Sequence, residues 1–191
     1  MSRTGRRPGT PETRDLILAA ARRRFATKGY VATSLRAIAS EAKVDPALLI
    51  HYFGTKEALF IAAVGLPAPL PELFADIVSL PNKQAAETLV RRYLRIVDSE
   101  RSRNTVLALV RSAVSSDKAA SLLRAFLSDA LLDVIEQRPG RGDPRLRASL
   151  IAAQLIGIAM LRHVLRLPPL AKASPDEVVE LVAPAIERYL G

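Results

Sequence analysis

Apolar residues recur at intervals of three and four along almost the whole chain, and no stretch alternates strictly between apolar and polar positions. The pattern predicts helices and offers no strand or hairpin, so the expected fold is all-α. Pro and Gly divide it into blocks. The first spans residues 11–28, with Thr10 as N-cap, Pro11 at the first helical position and a stop at Gly29. Ile17, Ala21 and Phe25 share its inner face. Three short blocks follow over 34–42, 46–52 and 56–66, ended by Pro67, Pro69 and Pro71. Beyond them the spacing predicts helices over 72–80, 83–100, 104–115, 118–137, 144–167 and 175–190, with a loop at 138–143 and a capping box at Ser174 and Glu177. The most apolar stretch, 148–161, is interrupted by Ser149 and Gln154 and falls short of the ~20 residues needed to cross a bilayer, so it is read as a buried helix with no membrane partner.

Residues 33–56 fit a helix-turn-helix position by position. Thr33 can cap the first helix, whose Leu35, Ile38 and Ala39 face inward. Small Ala39 lets the two helices cross closely. Val44 anchors the turn from inside, Asp45 caps the second helix, and Pro46 opens it. Leu48, Leu49 and Phe53 seal the underside, which leaves Asp45, Pro46, Ala47, Ile50 and His51 outward, at the end that would enter a major groove.

Charge sharpens this picture. Eleven of the 28 basic residues but only four of the 19 acidic ones fall within the first 56 residues, while the whole chain carries a formal +9. A basic segment on a nearly neutral body suits a polyanion partner, although a solubilising surface would share that composition. Arg3, Arg6 and Arg7 form a cationic arm. Thr33, Tyr52 and Lys56 are placed to meet phosphates, which set affinity and register rather than sequence choice. The outward list lacks Arg, Asn and Gln, so base reading would lean on His51, apolar contacts and DNA shape.

These residues resemble the tetracycline-repressor family of one-component regulators. The likeness runs through Ile17 to Ala21, Phe25 to Tyr30, Thr33 to Ala39, Ala42 to Val44 and His51 to Leu59. It implies an all-helical homodimer with recognition helices in successive major grooves, about 34 to 36 Å apart. It also implies a small helix-turn-helix domain at 1–54, a ligand-binding and dimerisation domain at 55–191, and a bacterial, cytoplasmic protein released from operator DNA by a small-molecule inducer. On this reading the DNA contacts are Arg3, Arg6, Arg7, Thr33, Ser34, Asp45, Pro46, Ala47, Ile50, His51, Tyr52 and Lys56. Three positions depart from the family pattern: Lys43 stands where glycine is usual, Asp45 replaces serine or threonine, and Ile50 replaces a frequent tyrosine.

In the second half the resemblance supplies architecture and little chemistry. Candidate inducer contacts are Phe74, Tyr93, Val106, Leu109, Val110, Ser112, Phe126 and Gln154, each of which also fits plain core packing or a solvated face. Leu150, Gln154, Gly157, Ile158, Leu161 and Leu165 follow helical spacing and would line the dimer interface, unless that helix is an internal one. Gln154 could equally pair across the dimer axis, bond locally or face the pocket. The chain contains no cysteine, which excludes disulfides and thiolate metal sites. His51 and His163 sit in no nucleophile, metal or phosphate-loop motif, so no catalytic residue, metal or cofactor is expected. An interaction scaffold with a vestigial helix-turn-helix, and an enzyme, remain the competing classes.

Overall fold

The computed structural model describes residues 11–65 and 70–191, and the arm residues Arg3, Arg6 and Arg7 lie outside them. Among the described residues all regular structure is helical. The order is α1 (Pro11–Ala32), α2 (Leu35–Ala42), α3 (Pro46–Phe53), α4 (Lys56–Val64), α5 (Leu70–Phe74), α6 (Asn82–Asp98), α7 (Glu100–Ala113), α8 (Asp117–Leu127), α9 (Asp133–Glu136), α10 (Pro144–Ala159), α11 (Pro168–Lys172) and α12 (Pro175–Leu190). A 3-10 turn (Ala75–Ser79) follows α5, and π-helical turns extend α8 (Ser128–Leu132) and α10 (Met160–Val164).

Two apolar cores organise these elements. The first holds Phe25, Tyr30 and Phe60 in mutual ring contact, with centroids 5.0 to 6.0 Å apart, and is completed by Ile17, Ile38, Leu49 and Leu59. It does not close on α1 to α4 alone. Leu109 of α7 and Ala119 and Leu122 of α8 are buried in the same cluster, and α7 packs directly on α1 and α4. The second core lies among α6, α9, α10 and α12, around Leu89, Leu94, Ile135, Ile151 and Ile186.

Local signals account for most boundaries. The path of α1 breaks at Gly29 (φ 77°, ψ 173°), a backbone region open to glycine, and a Cβ there would sit 2.9 Å from Ser112 Oγ. The α12 start is the expected capping box, with both Ser174 and Glu177 bonds made. Asp143 caps α10, whose second residue after the cap donates to its carboxylate at 2.9 Å. Two arginines, Arg138 and Arg147, are 5% and 8% exposed. Arg138 donates to the carbonyls of Ile77, Val78 and Leu80, and Arg147 to those of Tyr189 and Leu190, closing the ends of the 3-10 turn and α12.

Three expectations are corrected. The run 144–164 is one apolar helical stretch of 21 residues with mean hydropathy 1.2, long and apolar enough by length and composition to cross a membrane. Its inner face, through Ile151, Leu155 and Ile158, nonetheless belongs to the second core. The stretch ends before the expected residue 167, since Arg166 adopts a left-handed φ of 51° and α11 starts at Pro168. Ile158, placed by spacing in an intermolecular stripe, is 8% exposed and faces its own core. Eight residues carry a helix about 80° past its starting direction, whereas seven fall about 20° short, so Ile158 lines up with buried Ile151 rather than with Leu150.

Candidate nucleic-acid interface

The helix-turn-helix is built by two different caps. Ser34 Oγ accepts from the Ala37 N–H at 3.1 Å and starts α2, a role expected of Thr33. Thr33 is instead 1% exposed, its hydroxyl donating to the Gly29 carbonyl at 2.8 Å. Its side chain is spent on closing the α1–α2 corner and withdrawn from the surface where a phosphate contact was expected. At the other end of α2, Lys43 takes φ 56°, ψ 40°, and the Val44 N–H donates to the Ala39 carbonyl at 3.0 Å. The chain therefore turns through a left-handed residue where glycine would be cheaper. Asp45 then caps α3, accepting from Ala47 N–H at 2.9 Å, and Pro46 occupies the first turn.

This construction sets the orientation of α3. Leu49 is 1% exposed beneath it, and Leu48, Tyr52 and Phe53 pack partly into the same core. Pro46, Ala47, Ile50 and His51 are exposed on the other side. Tyr52 lies edge-on to the His51 ring, with centroids 5.4 Å apart, and the Arg14 guanidinium lies 5.4 Å from the Phe53 ring centre. An eight-residue helix thus presents Pro46, Ala47, Ile50 and His51 outward.

Basic and acidic groups brace the helix. Glu41 of α2 accepts from Arg23 at 2.8 Å and Arg24 at 2.7 Å, both on α1. The Arg23 bond foremost, with Arg24 behind it, holds the Glu41 carboxyl below its ordinary range. Helix α4 leaves α3 at 73°, and its first residue, Lys56, rests its ammonium 4.3 Å from the Tyr30 ring centre and 3.4 Å from the Val31 carbonyl. Burial, then the charge of Lys118, lowers the Lys56 pKa. The Tyr30 hydroxyl donates to Glu57 at 2.6 Å, and the same carboxylate lies 3.8 Å from Lys118 on α8. This link between α8 and the first turn of α4 joins residues far apart in the chain, and nothing in local sequence marks it.

The residues expected to line an inducer pocket do not gather in one place. Leu109 belongs to the first core and Val106 packs against it, while Ser112 donates to the Ala108 carbonyl at 2.8 Å and faces Gly29. Phe74 is buried in the second core, with Tyr93 and Phe126 against it. Tyr93 donates to the Leu155 carbonyl at 2.7 Å, Val110 is half-buried, and Gln154 is exposed on α10. None of the eight lines either of the clefts of about 550 and 530 Å³. The physical reason is that α7 is shared, with one face given to α1 and the other to the body. His163, 2.9 Å from Asp98 but not aligned for a hydrogen bond, belongs to a cluster with Arg162 that ties α10 to α6.

On the outer surface of α10, Leu150 and Gln154 are exposed, Gly157 is half-buried, and Leu161 and Leu165 are exposed. Leu146 and Leu181, which the spacing argument missed, are 58% and 80% exposed. Among the described residues no group of three or more His, Asp or Glu is placed to hold a metal ion.

Comparison with known proteins adds a second line of evidence. The profile of bacterial regulatory proteins of the tetR family matches residues 17–63, and that of the tetracyclin repressor-like C-terminal domain matches residues 83–190. A TetR-family regulator from Streptomyces coelicolor A3 is 38% identical and superposes with a TM-score of 0.73 over 97% of this chain and 98% of its own. An HTH-type transcriptional repressor of Mycobacterium tuberculosis is 37% identical over 86 residues, 45% of this chain and 43% of its own length, so the chain spans less than half of that relative. The regulator BetI of Agrobacterium fabrum is 28% identical over 89% of this chain and 85% of its own.

Proposed function

Since the chain belongs to the tetR family of bacterial regulatory proteins, we propose that this transcriptional regulator is a repressor that binds a pseudo-palindromic operator as a homodimer and leaves it when a small molecule binds its body. The observation that carries this reading is the outward presentation of α3, with Leu49 buried beneath it and Pro46, Ala47, Ile50 and His51 exposed. In this reading residues 1–54 form the arm and reading head, and residues 55–191 bind effector and pair the subunits. His51 and the apolar face of α3 read the groove, Ser34, Tyr52 and Lys56 hold phosphates, and Arg3, Arg6 and Arg7 extend the basic footprint. Asp45 directs its carboxylate to its own helix, which limits repulsion from nearby phosphates. The exposed apolar positions of α10, with Leu181 of α12, are an uncovered apolar surface, which supports pairing of two copies there. The reading places the protein in the bacterial cytoplasm with operator DNA as its partner, with no catalytic role.

Operator selection from a random duplex pool, followed by binding at several salt concentrations, tests it. A steep loss of affinity with salt is expected, and Lys56→Ala should lower affinity for all duplexes and reduce the logarithmic salt slope by about 0.9. His51→Ala should change which duplexes are selected while leaving that slope unchanged. Binding that is weak and independent of salt would sink the reading.

A further inference from the structure

The first turn of α8 carries a lysine that the fold itself hardly uses. Ser116 caps the helix, accepting from the Ala119 N–H at 3.4 Å, and Lys118 follows with 70% of its side chain exposed. A cation there faces the positive end of the helix, the end that disfavours it. Among the described residues its ion pair is with Glu57 of α4, at 3.8 Å and 41% exposed, too long for a hydrogen bond and too wet to return much stability. Glu57 is moreover already served, since the Tyr30 hydroxyl donates to the same carboxylate oxygen at 2.6 Å. Neither the helix nor the pair accounts for a charge at this place.

What the place offers is a neighbour, Lys56. Its ammonium lies 4.3 Å from the centre of the Tyr30 ring, whose hydroxyl holds Glu57, so Lys56, Tyr30, Glu57 and Lys118 form one continuous group across α4, α1 and α8. The two lysines are close enough that the charge of Lys118 is, after burial, the next cause of the lowered Lys56 pKa. Like charges gathered on a surface repel, and a polyanion laid against them relieves that repulsion. Lys56 opens α4 directly after the short turn that ends α3, so a strand of duplex running past the C-terminal end of α3 meets this group next. Glu57 alone would oppose a phosphate there, and Lys118 offsets that charge. We propose that Lys118 is a phosphate contact for operator DNA, so that the backbone-binding surface continues from the helix-turn-helix onto the first turn of α8. The inference rests on the reading of α3 as the element that enters the major groove. One subunit then grips the duplex with both of its halves, and the spacing of α4 and α8 becomes part of the DNA-binding geometry.

Fluorescence anisotropy of a selected operator duplex with the full-length protein, at several salt concentrations, tests this contact. Lys118→Ala should lower affinity several-fold at low salt and reduce the logarithmic salt slope by about 0.9, the counterion release of one phosphate, while Lys118→Arg keeps both at the parent's level. The same fall in slope is expected when Lys118→Ala is made in a Glu57→Gln background, whose amide oxygen still accepts from Tyr30. Ethylation of single phosphates should identify a backbone position that weakens binding by the parent and not by Lys118→Ala. The inference is overturned if Lys118→Ala, folded by circular dichroism, keeps the parent slope, or if no such phosphate is found. It is equally overturned if the effect vanishes in the Glu57→Gln background, which would reduce Lys118 to a counter-charge for Glu57. A parent protein without salt-dependent duplex binding would instead overturn the regulator reading itself.

Discussion

Lys43 shows how a single residue can serve a turn at an energetic cost. Its φ of 56° and ψ of 40° lie where an L side chain is disfavoured by about 1–2 kcal/mol, part of which glycine returns through its looser unfolded chain. Lys43→Gly is expected to raise stability by about 0.5–1 kcal/mol, seen as a higher urea midpoint at unchanged slope. A lower midpoint would mean that the lysine side chain contributes to the turn. Thr33 gives the opposite case, a polar side chain whose value is internal. Thr33→Val keeps the shape but leaves the Gly29 carbonyl without its 2.8 Å donor, so it should cost about 1–2 kcal/mol. DNA affinity of the folded variant should stay unchanged; a several-fold loss in fully folded Thr33→Val would return Thr33 to the phosphate contacts.

Between elements, the two arginines of α1 and the carboxylate of α2 form a clasp that joins α1 to the helix leading into the turn before α3. The folded-state pKa of Glu41 is held below its ordinary value, so its contribution is complete above the ordinary carboxylate range and fades as pH falls through the lowered folded value. Because Arg23 is 62% exposed, the clasp contributes only about 0.5–1 kcal/mol. Glu41→Gln should remove that much stability at neutral pH and shift the acid midpoint upward, as followed by circular dichroism; an identical acid midpoint would discount the clasp. Much at this scale was legible beforehand. Proline and glycine punctuation located α1, α3 and α12, and the apolar spacing of Leu35, Ile38 and Leu49 oriented the helix-turn-helix. Less legible were features set by neighbours rather than by local order. Ser34 and Thr33 are chemically interchangeable as caps, and only the packing of the α1–α2 corner decides between them. Ile158 sits four residues from Gln154 but seven from Ile151, and only the turn angle accumulated from Leu150 assigns it to the buried face of α10.

For the whole molecule, the proposed dimer would form through the exposed leucines of α10 and α12. Leu150→Arg combined with Leu181→Arg should leave the helical content intact and shift sedimentation from dimer to monomer, with operator affinity falling far more than binding of a single half-site. A double variant that still sediments as a dimer would move the interface elsewhere. The burial of Leu109, Ala119 and Leu122 against Phe25, Tyr30 and Phe60 bears on how such regulators can be recombined. The helix-turn-helix core borrows one wall from α7 and α8 of the C-terminal half. A hybrid made by cutting after α4 would strand large rings without their lining, whereas one that also carries over the matching faces of α7 and α8 keeps its keystone.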